Sequence, residues 1–326
     1  MTKYTYKASS DVALIKYWGK KDEVLRLPEN GSVSMILEGL DTVTTVEFSD
    51  GLENDLIAIE GESNPNETRR VVEHLNRLRT LAGVFTKARV ESVNTFPKGT
   101  GLSSSGSGFA ALTLAASSAL GMNLSTKELS ILARQGSGTA CRCVCSGFVE
   151  WKDGDTSETS FSETLHPAGY MDIVDLAVVV DEGMKRVSSS EGHQQARTSI
   201  FYQTRLNCIE QKIERLKQAL RLKDFSQIGE IVEAEALEFH SILLTSMPSH
   251  IAWQPGTLEV MIETQQMRND GLEAYFTINT GFNVHVLTLP KYQDQVKMRL
   301  NLLPAVKKTI DAKVGSGPQR LSNHLF

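Results

Sequence analysis

The chain has 326 residues, of which 40% are hydrophobic and 22% charged, with a formal net charge of −5. A chain of this length can bury the core of one large or two medium-sized domains. The negative charge argues against nucleic acid or an anionic membrane as a partner. Residues 1–10 are polar, and no stretch approaches the roughly 18 apolar residues of a membrane span. We therefore predict a soluble, cytoplasmic protein.

The first half of the chain alternates between strand and helix patterns. Val, Thr and Glu alternate over residues 42–48, which predicts a half-buried strand. Apolar residues recur at helical spacing over residues 68–81. Ser125 and Glu128 have the spacing of a capping box, which predicts a helix through Ala133.

The second half continues the alternation. The apolar run 172–180 predicts a buried strand, residues 200–222 and 225–244 have helical spacing, and residues 274–289 return to strand character. The second of these helices carries glutamates that we expect to face solvent, namely Glu230, Glu233, Glu235 and Glu238. The strand at 172–180 gives way to charged and serine-rich residues, which predicts a boundary between domains 1–182 and 183–326.

A glycine- and serine-rich loop at residues 96–108 leads directly into the apolar helical segment 109–120. Glycines let the backbone approach a ligand, serines offer hydrogen-bond donors, and a helix N-terminus attracts negative charge. The loop lacks the Gly-Lys-Ser/Thr ending of a nucleotide-binding P-loop. It also lacks the G-x-G-x-x-G motif of dinucleotide-binding proteins. A flexible linker is the alternative, but linkers do not normally end in a buried helix. The pattern predicts an anion-binding loop.

Further segments carry polar groups suited to anions. Lys16 and Lys20 flank Tyr17 and Trp18, and Arg142 follows a glycine-serine turn. Lysine offers a point charge and arginine a bidentate fork for phosphate or carboxylate. The competing interpretations are a solvated strand end for Lys16 and a helix-end arginine that binds carbonyl groups. The segment 30–34 adds small polar groups and by itself predicts only a turn.

Together these segments resemble the mevalonate diphosphate decarboxylases of the GHMP small-molecule kinase superfamily. The matching segments run through nearly the whole chain, at residues 13–20, 27–34, 94–97, 133–142, 148–151, 187–192 and 253–257. The resemblance implies a two-domain α+β fold with a nucleotide cleft between the domains, and often a homodimer. It implies an enzyme that uses ATP and Mg²⁺ to phosphorylate the 3-hydroxyl of a 5-phosphorylated mevalonate. Loss of that phosphate with carbon dioxide would leave an isopentenyl product of the mevalonate pathway.

The resemblance also implies roles for individual residues. Lys16 and Arg142 would face the hydroxyl and carboxylate of the substrate, and Asn279 would stand at the position of the base. The side of the 5-phosphate would be lined by Tyr17, Trp18, Lys20, Ser137, Thr139, Ser189 and Ser190. ATP would bind Gly101, Ser103, Ser104, Ser105, Gly106 and Ser107, with Ser105 also contacting the metal. Arg69 or Arg70 is a further candidate for the 5-phosphate, unless both are solvated helix arginines.

Two departures from the family pattern bear on activity. The family has aspartate where this chain has Asn279, and the neutral amide cannot accept a proton. The chain is therefore either a disabled variant or has another base. Asp11 stands where the family often has Asn, but the sequence does not place it near the alcohol.

The second departure is at Ser190, where many bacterial members have arginine. Mevalonate 5-phosphate is therefore an alternative substrate. The sequence also leaves open a 3-hydroxyl kinase without decarboxylation and a binding-only relative.

Overall fold

The computed structural model describes residues 2–183 and 189–326, without the side chains of Ser189 and Ser190. Its strands are β1 Tyr4–Ile15, β2 Lys20–Asp22, β3 Leu27–Pro28, β4 Ser32–Ser49, β5 Leu56–Ile59, β6 Lys87–Asn94, β7 Phe148–Trp151, β8 Ser162–His166, β9 Val174–Val179, β10 Ala274–Thr277, β11 Val284–Thr288, β12 Lys308–Val314 and β13 Gln319–Leu321. Its α-helices are α1 Pro65–Ala82, α2 Ser104–Ala119, α3 Thr126–Gly136, α4 Ala140–Cys143, α5 Ser189–Gln195, α6 Tyr202–Leu222, α7 Phe225–Thr245, α8 Pro255–Asn269 and α9 Gln293–Asn301. Short 3₁₀ turns lie at Ala196–Thr198 and Pro290–Tyr292.

An 11-stranded sheet organises the fold, with the order β10-β11-β9-β12-β4-β1-β13 along its main path. The 18-residue β4 also pairs with β6 and β7, which in turn pair with β5 and β8. Within this sheet the pairing is antiparallel, except between β5 and β6. The mixed helix and sheet content confirms the predicted fold class. Strands from both sides of residue 182 share the sheet, so the domain boundary there stays a prediction.

Each predicted segment corresponds to a helix or strand of the structure, although β4 is longer than the strand predicted at 42–48. The predicted helices correspond to α1, α3, α6 and α7, and the capping box of Ser125 and Glu128 is formed at the start of α3. The predicted strands correspond to β4 and β9. The strand pattern over 274–289 is interrupted: β10 and β11 form an antiparallel hairpin, and the loop between them reaches the cavity described below.

Both faces of the central strands are covered. One apolar cluster joins Ile36 of β4 to Leu75 and Phe109 of the N-terminal helices. A second joins Leu14 of β1 to apolar residues of α6 and α7, including Ile213. Because β1 lies between these clusters, polar side chains near its C-terminal end are held in a buried environment, where they need partners.

The expectation that the glutamates of α7 face solvent is wrong for Glu233 and Glu235, which are buried. Glu233 forms an ion pair with Arg268 of α8, and Glu235 with Arg205 of α6. The helical period of α7 does not show that other elements cover this face and supply cations to it. In the described part of the chain, no helix is long and apolar enough to cross a membrane.

Candidate active site

A cavity of about 560 Å³ lies beside the serine loop, the end of β1 and the loop after β10. Its walls combine residues that are far apart in sequence. The predicted residues that line it are Lys16, Tyr17, Trp18, Lys20, Arg70, Gly101, Ser103, Ser104, Ser105, Ser137, Thr139, Arg142 and Asn279. Charged, hydroxyl and aromatic groups therefore face one cavity.

Other predicted residues lie elsewhere. Ser107 is fully buried, and its hydroxyl lies 2.6 Å from that of Thr42 rather than on the cavity wall. Gly106 does not line the cavity either. A Cβ atom on Gly106 would come within 2.9 Å of the Thr139 hydroxyl oxygen. Arg69 is exposed on α1, away from the cavity. The side chains of Ser189 and Ser190 lie outside the described residues.

Lys16 lies at the buried inner end of the cavity, directly after β1. The pairing of β1 with β4 shifts register between Ala13 and Ile15, and such a bulge redirects the side chains that follow it. The Lys16 Nζ donates to Ala13 O at 2.7 Å, to Thr277 Oγ1 at 2.8 Å and to Asn279 Oδ1 at 3.1 Å. Burial lowers the pKa of Lys16 to about 7; the charge of Glu235 opposes this shift and that of Arg142 reinforces it.

A buried ion pair holds the backbone on both sides of Lys16. Glu235 accepts a hydrogen bond from the Lys16 backbone N–H at 2.9 Å, and Arg205 donates to the Lys16 carbonyl at 2.9 Å. Arg205 and Glu235 also pair with each other. Burial opposes ionisation of Glu235, but Arg205 is close enough that the pKa of this carboxyl lies below its usual value. The sequence led us to expect Glu235 in solvent and gave no signal for Arg205, since neither stands in a recognisable motif.

Asn279 belongs to a loop that packs against the serine loop through backbone atoms. A Cβ atom on Gly101, whose φ is +96°, would lie 2.6 Å from the Gly281 Cα. Only glycine allows this contact. Asn283 holds the end of the same loop in place. Its Nδ2 donates to Thr100 O at 3.2 Å, and its Oδ1 accepts from the Val180 N–H at 2.8 Å.

Arg142 is held by Asp11, which sequence analysis could not place. The Asp11 carboxylate is fully buried in β1, and its Oδ2 lies 2.8 Å from the Arg142 Nη2. Ser103 donates to the other carboxylate oxygen at 3.0 Å, and Arg142 Nη1 donates to the Ser32 hydroxyl at 2.9 Å. Asp11 does not itself line the cavity. It instead fixes two groups that do, Arg142 and Ser103.

The serine loop places hydroxyl and backbone N–H groups at the start of α2. Ser103 has a left-handed φ of 60° and precedes the 16-residue helix, whose first turn contains no acidic residue. Ser105 is exposed, and its oxygen accepts a hydrogen bond from the Ser137 hydroxyl at 3.3 Å. A helix N-terminus without carboxylates attracts anions, so this part of the wall can hold a phosphate group.

Aromatic rings form a second wall. The ring of His193 lies between those of Tyr17 and Trp18, with centroid distances of 4.3 and 4.1 Å. Its Nδ1 accepts from the Gly19 N–H at 3.0 Å. Burial raises the pKa of the Tyr17 phenol, which therefore stays neutral. His193 was missed because an isolated histidine gives no signal in sequence.

Cations surround the rest of the cavity. Lys20, Arg26, Arg70 and Lys98 line it, and Lys98 also pairs with Glu67 at 3.1 Å. Neutral residues also line the cavity, among them Thr44, Asn64, Val71, Val90 and Ser92. The described residues contain no cluster of three or more His, Cys, Asp or Glu side chains that could hold a metal. A divalent cation here would therefore be coordinated mainly by oxygens of a bound anion, together with a hydroxyl such as that of Ser105.

Two family models match the chain. Residues 8–162 match the diphosphomevalonate decarboxylase-like N-terminal domain, and residues 175–301 match the mevalonate 5-diphosphate decarboxylase C-terminal domain. A curated relative, the phosphomevalonate decarboxylase of Haloferax volcanii, is 31% identical over 298 residues, which covers 90% of this chain and 91% of the relative.

Solved structures agree over almost the entire length. The structure of MDDEF in complex with MVAPP, AMPPCP and magnesium is 38% identical, has a TM-score of 0.92 and covers 98% of this chain and 99% of its own. Mevalonate diphosphate decarboxylase from Staphylococcus aureus is 36% identical, with a TM-score of 0.93 and 98% of each chain covered.

Proposed function

The chain belongs to the mevalonate diphosphate decarboxylase family, and we propose that it converts mevalonate 5-diphosphate to isopentenyl diphosphate with ATP and Mg²⁺. The observation that carries this proposal is the cavity whose wall brings Lys16, Arg142 and Asn279 together with the start of α2. The fixed cation Arg142 can hold an anionic acceptor there, while the helix N-terminus holds the phosphate groups of a donor. The reaction would be phosphorylation of the 3-hydroxyl, followed by loss of phosphate and carbon dioxide.

The residues of the inner end can orient the acceptor. Arg142, fixed by Asp11 and Ser32, would hold the substrate carboxylate, and Lys16 would lie beside the 3-hydroxyl. On the 5-phosphate side we propose Tyr17, Trp18, Lys20, Ser137 and Thr139 of the cavity wall, with Arg70 as the added cation. Positioning and charge neutralisation supply most of the rate in phosphoryl transfer.

The serine loop can hold the phosphate groups of the donor. We propose Gly101, Ser103, Ser104 and Ser105 as the contacts, since all four line the cavity. The neutral residues of the wall, such as Val71 and Val90, suit an uncharged ring such as the nucleotide base. Bound Mg²⁺ would neutralise charge on the transferred phosphoryl group, and the Ser105 hydroxyl is the protein oxygen that we propose beside it.

Mevalonate 5-phosphate is a second candidate substrate. The Haloferax volcanii relative is named a phosphomevalonate decarboxylase, and this chain has Ser190 where many bacterial family members have arginine. Product analysis with both substrates in parallel tests the choice. A hundredfold preference for the diphosphate in kcat/KM, or about 2.7 kcal/mol, would exclude the monophosphate.

The same experiment tests the reaction type. Release of carbon dioxide and an alkene with ADP supports the decarboxylase. A stable phosphoester with ADP would identify a 3-hydroxyl kinase, and ligand-dependent stabilisation without turnover would identify a binding-only protein.

We further propose that the enzyme acts in the cytoplasm as a homodimer. All 4 cysteines are free, as is usual in a reducing compartment. Exposed apolar side chains such as Ile251 and Leu302 are available for a subunit interface. Light scattering of the purified protein measures the oligomeric state.

A further inference from the structure

The Lys16 amine contacts only neutral oxygens. Its three acceptors are a carbonyl, the Thr277 hydroxyl and the Asn279 amide. The two buried carboxylates of the site bind other groups, since Asp11 pairs with Arg142 and Glu235 with Arg205. Among the described residues, no carboxylate forms a salt bridge with Lys16 Nζ. The amine therefore lacks the partner that ordinarily keeps a buried lysine charged.

We propose that Lys16, in its neutral form, accepts the proton of the substrate's 3-hydroxyl, and that the amide of Asn279 permits this role. The inference rests on the proposed function. The O–H bond of the substrate breaks as an N–H bond forms on Lys16. The electron pair of the oxygen forms the bond to the transferred phosphorus, and the bond from that phosphorus to the ADP oxygen breaks. The Lys16 ammonium then returns its proton to water or to the departing phosphate.

The electrostatic surroundings of Lys16 support a neutral amine near pH 7. Burial lowers its pKa to about 7; Glu235 and Asp11 act against this shift, and Arg142 and Arg205 act with it. His240 also faces this region, and burial lowers its pKa to about 3. His240 is therefore neutral at physiological pH. A base is most effective when its pKa lies near the working pH.

The hydrogen-bond partners of Lys16 can follow its change of charge. An ammonium donates three hydrogen bonds, whereas an amine donates two and accepts one. Two of the three acceptors can keep the two N–H bonds of the neutral amine. The contact with the Asn279 amide, at 3.1 Å the longest of the three, would be replaced by the substrate hydroxyl, which donates to the lone pair of Nζ. An ionised carboxylate at position 279 would only accept. It would hold Lys16 as the ammonium, which cannot take up a further proton.

Asp11 is the other carboxylate to consider as the base. Its two oxygens are engaged by Arg142 and Ser103, it is fully buried, and it does not line the cavity. A substrate hydroxyl in the cavity would meet those two side chains before it met the carboxylate. The geometry therefore makes Asp11 a positioning residue and leaves Lys16 as the group that faces the reacting atoms.

The first test replaces Lys16 by arginine, which keeps the positive charge but does not release its proton at accessible pH. We expect Lys16→Arg to lower kcat by about 10²–10⁴-fold, the usual contribution of a general base, with KM changed much less. The double variant Lys16→Arg/Asn279→Asp adds a carboxylate acceptor beside the cation and should recover at least about tenfold of this loss. Near-normal kcat in Lys16→Arg would overturn the inference, and so would a folded double variant without recovery.

The second test avoids the larger arginine side chain. Lys16→Ala should be rescued by small primary amines, and the rescue should increase with pH as the added amine loses its proton. Rescue that follows the protonated amine instead would show that Lys16 acts only as a cation and would overturn the inference.

The third test is the pH profile. Wild-type kcat/KM should rise with pH through about 7, where Lys16 loses its proton. In Asn279→Asp the new carboxylate has a lower pKa than Lys16 and stays a proton acceptor at lower pH. We therefore expect the kcat of Asn279→Asp, divided by the kcat of the wild type, to increase as pH falls from about 8 to about 6. Ionisations of the substrates occur in both proteins and cancel in this ratio.

Two results would contradict the proposal in different ways. If Asn279→Asp raises kcat by one constant factor at every pH, the wild-type chain lacks a base and the Lys16 assignment is wrong. If neither protein releases carbon dioxide from either mevalonate phosphate, the proposed function itself fails.

Discussion

The inner end of the cavity and its mouth use charge in different ways. At the inner end, Lys16 and Arg142 are 2% and 3% exposed, and each is held by partners from other elements. At the mouth, Arg26, Arg70 and Lys98 are only partly buried. Arg70 lies over the Phe109 ring, and Lys98 pairs with the partly exposed Glu67.

This difference separates two effects on a polyanionic substrate. The inner groups have a single geometry, because buried polar groups need partners: Arg142 is paired with Asp11, and Lys16 is hydrogen-bonded to neutral oxygens. They can therefore orient a reacting group. The mouth charges are close to solvent and contribute mainly an attractive field that salt screens. Substitutions at the inner end should act on folding and kcat, and substitutions at the mouth on KM.

The largest effect is expected at the buried ion pair of Asp11 and Arg142. Asp11→Asn leaves the Arg142 charge buried without its carboxylate, and breaking such a pair costs about 3–5 kcal/mol. The free energy of unfolding, measured by urea denaturation, should fall by that amount. Asp311→Asn is the control, because Asp311 forms a partly exposed pair with Lys297 that is worth about 1 kcal/mol or less. Equal effects of the two substitutions would show that Asp11 does not hold Arg142.

Arg142→Lys should have the next largest effect, on catalysis. Lysine keeps the charge but loses the fork that can bind a carboxylate while contacting Asp11 and Ser32. We expect kcat/KM to fall about 30–100-fold, equivalent to the roughly 2–3 kcal/mol of a charge-assisted hydrogen bond.

Arg134 is a matched control for Arg142, since it is buried but donates to carbonyl oxygens such as Leu25 O, away from the cavity wall. Arg134→Lys should lower Tm and leave kcat/KM of the folded protein unchanged. If Arg142→Lys behaves in the same way, Arg142 is a structural residue.

The serine loop allows a comparison within one turn of helix. Ser105→Ala removes an exposed hydroxyl from the cavity wall and should lower kcat about fivefold to tenfold with Tm unchanged. Ser107→Ala removes a buried hydroxyl that contacts Thr42, so it should lower the free energy of unfolding by about 1 kcal/mol and leave kcat unchanged. A kcat loss in Ser107→Ala alone would reverse our placement of the phosphate groups.

The smallest effect is expected at the mouth. Arg70→Gln should raise KM for the phosphorylated substrate about threefold at low salt, and the difference should shrink as salt is added. Arg69→Gln is the adjacent control, because Arg69 is exposed and does not line the cavity. Identical KM values for the two variants would show that the mouth cations do not guide the substrate.

Local patterns predicted much of this site. The glycines and serines of the loop, the apolar helix behind it, and the segments around Lys16 and Arg142 each carry a signal within about ten residues. The departure at Asn279 was also visible, because a single residue type decides whether a carboxylate is present. The location of Asp11 and the roles of Glu235 and His193 could not be predicted, since each depends on contacts with distant elements.

The sequence by itself determined which chemical groups are available and how nearby residues fold: glycine where two backbones touch, helix where apolar residues recur, and an amide in place of an acid at position 279. Tertiary structure decided which polar and charged groups meet. Lys16 and Asn279 are 263 positions apart, and Lys16 and Glu235 are 219 apart. Burial and Coulomb interactions depend on distance in space. The lowered pKa of Lys16 therefore follows from how β1, the loop after β10, α6 and α7 pack together.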